Sequence, residues 1–125
     1  MGALESSAKS RKPRSQGMEA YLEDCAKRLG ETKALRQGSI VFRLTGVGGG
    51  EYYLDCSTKG ARLAKSMPRG APLIEVMGDA RRIRAILEGK KDGRTQFLAG
   101  GIRVRGDLRY LSDLAMELGI IKEPL

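Results

Sequence analysis

Residues 39–57 read SIVFRLTGVGGGEYYLDCS, and the periodicity of this stretch decides the fold. Ile40, Phe42 and Leu44 alternate with Val41, Arg43 and Thr45, which sends successive side chains to opposite faces of an extended strand. The alternation resumes after Gly46-Val47-Gly48-Gly49-Gly50, with Tyr52, Leu54 and Cys56 against Tyr53 and Asp55. Two alternating runs around a glycine cluster predict a β-hairpin. The glycines also invite a phosphate-cradle reading, but neither a helix start nor a Lys-Ser/Thr pair follows them. They read as a turn.

Upstream of the hairpin the period changes. Met18, Tyr21, Leu22, Cys25 and Leu29 fall on one face at helical spacing, with Gly30 as a stop signal or Thr32–Arg36 as a continuation. Residues 1–17, rich in Ser, Lys and Arg, predict a disordered basic tail ahead of one folded domain over residues 18–125. Downstream, Ala61–Ser66 reads as a third strand, Met67-Pro68-Arg69-Gly70 breaks the chain, and Leu73–Met77 is a fourth strand. Asp79 is placed to cap a helix through Leu87 that Gly89 ends. A short helix around Thr95–Ala99 and a fifth strand, Ile102–Arg105, follow. Asp107 then caps a last helix, Leu108–Leu118, with Gly119 as its stop. The order is helix, strands, two helices, strand, helix. It predicts an α+β domain in which helices cover one face of a largely antiparallel five-stranded sheet.

Composition narrows the chemistry. The 125 residues suit a single domain, and 41% hydrophobic content with no Trp and two Phe predicts an aliphatic core. No His is present, which removes imidazole triads, His–Cys zinc sites and His proton relays. Cys25 and Cys56 read as buried structural thiols, and no metal or other cofactor is expected. No apolar run reaches the length of a membrane span and residues 1–17 lack a signal-peptide core, so a cytoplasmic setting is expected. The net charge of +8 is concentrated: Lys9, Arg11, Lys12 and Arg14 stand against Glu5 in the tail, and nine cations stand against Glu88, Asp92 and Asp107 within residues 81–109.

The stretch from Pro72 to Asp107 carries a family resemblance. Pro72-Leu73-Ile74-Glu75-Val76-Met77-Gly78-Asp79 leads through Ile86-Leu87-Glu88-Gly89-Lys90 and Thr95-Gln96-Phe97-Leu98-Ala99-Gly100 to Gly101-Ile102-Arg103-Val104-Arg105-Gly106-Asp107. This resembles the sterol carrier protein (nonspecific lipid-transfer) domain, with its Leu-x-Gly-Lys turn, Phe-containing short helix and Gly-Lys-Leu-Lys-Ile-x-Gly-Asp/Asn strand. The resemblance spans residues 38–119. It implies a sheet and helices enclosing an apolar tunnel, and noncatalytic binding and carriage of a fatty acyl, phospholipid or sterol-like ligand. It places Ile83, Ile86, Leu87, Phe97, Leu98, Leu111, Leu114, Ala115, Leu118 and Ile121 on the tunnel. Three departures bear on the ligand. The chain ends Lys122-Glu123-Pro124-Leu125 rather than in a peroxisomal tripeptide. Leu98 and Ala99 stand where relatives often carry a second Phe and a Gln. Three arginines crowd the helix after Asp79, so a neutral sterol is not the obvious ligand.

Each apolar residue alone has core packing as its simplest role, and the lipid reading rests on the set. A cavity taking ~10 methylenes at about 0.8 kcal/mol each supports useful affinity. Arg82, Arg84 and Arg105 are candidates to meet a carboxylate or phosphate headgroup or an anionic membrane surface. Two alternatives stand beside carriage: a module presenting a hydrophobic substrate to a partner enzyme, and a basic nucleic-acid-binding protein. The second lacks a recognisable motif, and Tyr52 and Tyr53, being adjacent, face opposite ways. Glu75, Asp55 and Lys65 form no recurring catalytic spacing.

Overall fold

The computed structural model describes Gly17–Leu125. The basic tail expected over residues 1–17 lies outside the described residues except for Gly17, which opens the first helix. The elements in chain order are α1 (Gly17–Leu29), β1 (Gly38–Thr45), β2 (Gly50–Ser57), β3 (Gly60–Ala64) and β4 (Ile74–Asp79), followed by α2 (Ala80–Leu87), α3 (Gly93–Leu98), β5 (Ile102–Gly106) and α4 (Leu108–Leu118).

The hairpin read from residues 39–57 is present. β1 and β2 pair antiparallel from Gly38↔Cys56 to Leu44↔Gly50, and Gly46 and Gly48 take positive φ in the turn. The five strands lie in the order β3-β2-β1-β4-β5. Three of the four pairings are antiparallel, but β1 and β4 run parallel, from Ile40↔Ile74 to Thr45↔Asp79. The Met67-Pro68-Arg69-Gly70 break is therefore not a hairpin turn. Residues 65–73 carry the chain past β2 and β1 to start β4 on the far side of β1, and Leu73 N–H anchors there on Ser39 O at 2.8 Å.

Alternation sorts the side chains. Ile40, Phe42, Leu44, Leu54, Cys56, Ile74 and Val76 are buried on the face toward the helices. The other face carries charge: Arg43 ion-pairs with both Glu51 and Glu75, and Arg62 with Asp55. Val41 is the exception on that face. It is fully buried because β1 is central and Tyr53 and Glu75 flank it in register.

The helix ends follow local chemistry. α1 stops at Leu29 and does not continue to Arg36, since Gly30, Glu31 and Thr32 bond back to Ala26, Arg28 and Leu29 carbonyls in a closing turn. Asp79 caps α2 by accepting from Arg81 and Arg82 N–H. Asp92 caps α3 by accepting from Thr95 N–H, so that helix begins two residues earlier than its Thr95 start in the sequence reading. Asp107 caps α4, and Gly119 at φ +76° ends it in the left-handed conformation. Gly106, at φ +104°, needs glycine on two counts: the left-handed backbone, and the Leu73 carbonyl that a Cβ would strike.

Candidate functional site

An apolar cavity of about 90 Å³, measured as the room open to the centre of a water molecule, lies between the sheet and the helices. The sheet gives it Ile40, Phe42, Leu54, Val76, Ile102 and Val104; α1 gives Cys25 and Leu29. These positions were less visible in the sequence than the helix residues, though the inward phase of each strand marked the strand set. From α2 come Ile83, Ile86 and Leu87, one face at i, i+3 and i+4. α3 contributes Gly93 and Phe97, and α4 contributes Leu111, Leu114, Ala115 and Leu118.

The chain beyond α4 closes one side. Ile120, Ile121 and Leu125 line the cavity. This segment is strapped to α3: Gly93 N–H donates to Ile120 O at 3.0 Å and Arg94 Nε to Pro124 O at 2.9 Å, while Leu125 N–H donates to Ser112 Oγ at 3.0 Å. Gly93 is small for this contact, since a Cβ there would sit 3.1 Å from Ile121 Cγ2. Ile120-Ile121 thus finishes the cavity wall.

The structure brings together nine of the ten apolar positions singled out from the sequence. Leu98 is the one it leaves aside, 62% exposed, because it follows Phe97 by one residue and a helix turns about 100° per residue. The arginines divide. Arg82 Nη1 donates to Gln96 Oε1 at 2.5 Å, spanning α2 and α3. Arg84 is half-buried against the start of α1, its guanidinium 3.4 Å from where a Cβ on Gly17 would lie. Arg105 sits opposite Glu75 on the charged face of the sheet, since Ile102 and Val104 take the cavity side and alternation sends Arg105 away.

Among the described residues, the cavity surface offers no polar atom. Its one titratable lining group, the Cys25 thiol, is pushed up to about 12 by burial, and Cys56 close by in the core is pushed to about 11 for the same reason. Both stay protonated at neutral pH and neither is a nucleophile there. Near Arg84, the Tyr21 hydroxyl donates to Glu88, which holds that carboxylate below its ordinary range. Among the described residues, no group of His, Cys, Asp and Glu is placed to hold a metal ion, and no helix is long and apolar enough to cross a membrane. Walls of this kind offer dispersion and exclusion of water, and they suit a hydrocarbon chain.

Comparison with known proteins agrees on one architecture. The sequence profile described as the SCP-2 sterol transfer family matches residues 18–118. Among solved structures, sterol carrier protein 2 like 2 from Aedes aegypti superposes with a TM-score of 0.61 at 16% identity, covering 81% of this chain and 95% of that one. Sterol carrier protein 2 from Yarrowia lipolytica, in its apo form, gives 0.54 at 26% identity over 88% and 84%. A structure titled UbiJ-SCP2 ubiquinone synthesis protein gives 0.59 at 15% identity over 85% and 93%. No curated protein sequence matches the chain.

Proposed function

The chain belongs to the SCP-2 sterol transfer family, and from that premise we propose that it binds the hydrocarbon part of a lipid in the cavity between sheet and helices and carries it without chemical change. The observation that carries the reading is the cavity wall: some twenty residues from the sheet, all four helices and the terminal segment meet there without one exposed polar atom. A solely structural core has less reason to leave such room, because interiors ordinarily pack with few voids larger than a water.

The ligand class follows from shape and charge. A flexible acyl chain adapts to an aliphatic lining better than a rigid ring system, and Arg82 and Arg84, on the helix that forms one wall, supply cations for a carboxylate or phosphate end. We assign Ile83, Ile86, Leu87, Phe97, Leu111, Leu114, Ala115, Leu118 and Ile121 to the acyl chain. A second reading, presentation of a hydrophobic substrate to a partner enzyme, is supported by the likeness to the ubiquinone synthesis protein. Native mass spectrometry of the purified protein, with solvent extraction of anything released, tests the proposal. A near-stoichiometric acyl lipid supports it. An empty protein that also ignores fluorescent fatty acids refutes it. Delivery to acceptor vesicles without any partner separates carriage from presentation.

A further inference from the structure

The end of the sheet at which β1 and β4 finish carries two large apolar side chains that no described residue covers. Val47, in the β1–β2 turn, is 76% exposed, and Leu98, at the end of α3, is 62% exposed. Strand register puts their surroundings together, because Thr45 pairs with Asp79 and Gly78 with Ile102. The glycines confirm the closeness. A Cβ on Gly46 would strike Asp79 Oδ1, one on Gly48 would touch Ala80 Cβ at 3.9 Å, and one on Gly101 would lie 2.8 Å from Arg82 Nη1. The turn, the start of α2 and the α3–β5 junction therefore form one surface.

Its charge is positive. Arg81 and Arg82 are exposed at the start of α2, and Arg103 is exposed near the start of β5 on the charged face of the sheet. Asp79 lies beside Arg81 and Arg82, and its carboxylate already accepts their N–H groups as the α2 cap. Among the described residues neither Arg82 nor Arg103 has an ion-pair partner. A single exposed Leu or Val is ordinary on a protein surface. Two at one end, set among guanidinium groups, match the layered chemistry of a bilayer surface, where phosphates lie above the acyl boundary.

We infer that this end of the molecule docks on an anionic phospholipid bilayer, with Val47 and Leu98 entering the interface and Arg81, Arg82 and Arg103 meeting lipid phosphates. The inference rests on the lipid-carrying reading above, because α3 serves both surfaces: Phe97 lines the cavity and Leu98, the next residue, enters the membrane. Docking then brings a cavity wall to the surface from which a lipid is exchanged.

Co-sedimentation of the full chain with vesicles of phosphatidylcholine, alone or mixed with phosphatidylglycerol, tests it. Wild type binds the mixed vesicles and leaves the neutral ones. The double variant Val47→Ser/Leu98→Ser weakens binding about tenfold or more. Arg81→Glu/Arg103→Glu weakens it at least about 25-fold, and salt removes the wild-type advantage. Both variants melt like wild type, since all four positions are exposed. Uptake of a fluorescent fatty acid from solution reports the cavity separately and stays unchanged in both. If the double variants bind as wild type does, if wild type ignores mixed vesicles, or if neutralising Lys9, Arg11, Lys12 and Arg14 alone abolishes binding, the inference is overturned. Loss of fatty-acid uptake in wild type would count against the cavity reading instead.

Discussion

Replacing Ala115 by Phe fills the cavity from α4. Ala115 is buried and lines the void. The cavity leaves about 90 Å³ open to the centres of water molecules, so as it stands it has room for several waters. A methylene takes about the same room as a water, and Phe adds about six carbons to Ala, which occupy space the acyl chain would take. At about 0.8 kcal/mol per methylene, the displaced ligand contacts amount to about 5 kcal/mol, or roughly a 10³-fold loss of affinity. The fold is cheaper to keep: overpacking costs about 1–3 kcal/mol where space is tight, and here the ring enters a void. The assay is fluorescence titration with a conjugated fatty acid, accompanied by thermal melting. Met116→Phe, on the exposed side of the same helix, is the control and binds as wild type does. An Ala115→Phe protein that melts cooperatively and binds fatty acid with wild-type affinity would refute the assignment of the cavity as the lipid site.

Other outcomes follow from the same geometry. Lengthening a saturated fatty acid raises affinity about fourfold per methylene until the chain fills the cavity, then levels off; affinity independent of length contradicts an apolar slot. The Cys25 and Cys56 thiols, pushed to about 12 and about 11, resist a thiol reagent at pH 8 in the native protein and react at once in denaturant. Asp79→Ala lowers stability by about 1 kcal/mol in urea unfolding through loss of the α2 cap. Asp92 and Asp107 are held below the ordinary aspartate range, first by the Thr95 and Tyr110 N–H groups they accept. The folded state therefore binds fewer protons, and their stabilisation is complete above the ordinary value near 3.9 and lost as pH falls below it through the folded values. Asp92→Asn and Asp107→Asn flatten that acid limb of the urea midpoint against pH.

Most of this molecule was legible because its elements obey short-range rules. The hairpin at residues 39–57 is set by alternation and glycine, α2 and α4 by their Asp caps and apolar spacing, and the structure keeps all three. The parallel pairing of β1 with β4 was not legible. Nothing in residues 65–73 records which strand β4 will join, since that choice depends on which strand edge is still free once β1, β2 and β3 have paired. The helical half of the cavity followed from spacing at Ile83, Ile86 and Leu87 and from Leu111 to Leu118. Leu98 and Arg105 show the limit of that approach. Each lies beside a cavity residue in sequence, but helix phase turns Leu98 outward and strand alternation turns Arg105 to the other face. The role of Gly93 was also hidden, because its reason is the approach of Ile121 from the far end of the chain.

The measurement that tests the central claim most directly is isotope-filtered NMR of the protein with ¹³C-labelled palmitate. The account predicts saturable binding and intermolecular NOEs from the acyl chain to the side chains of Ile83, Phe97, Leu114 and Ile121, with none to the exposed face of Met116. Absence of binding, or NOEs confined to exposed Leu98 and Val47, would contradict it.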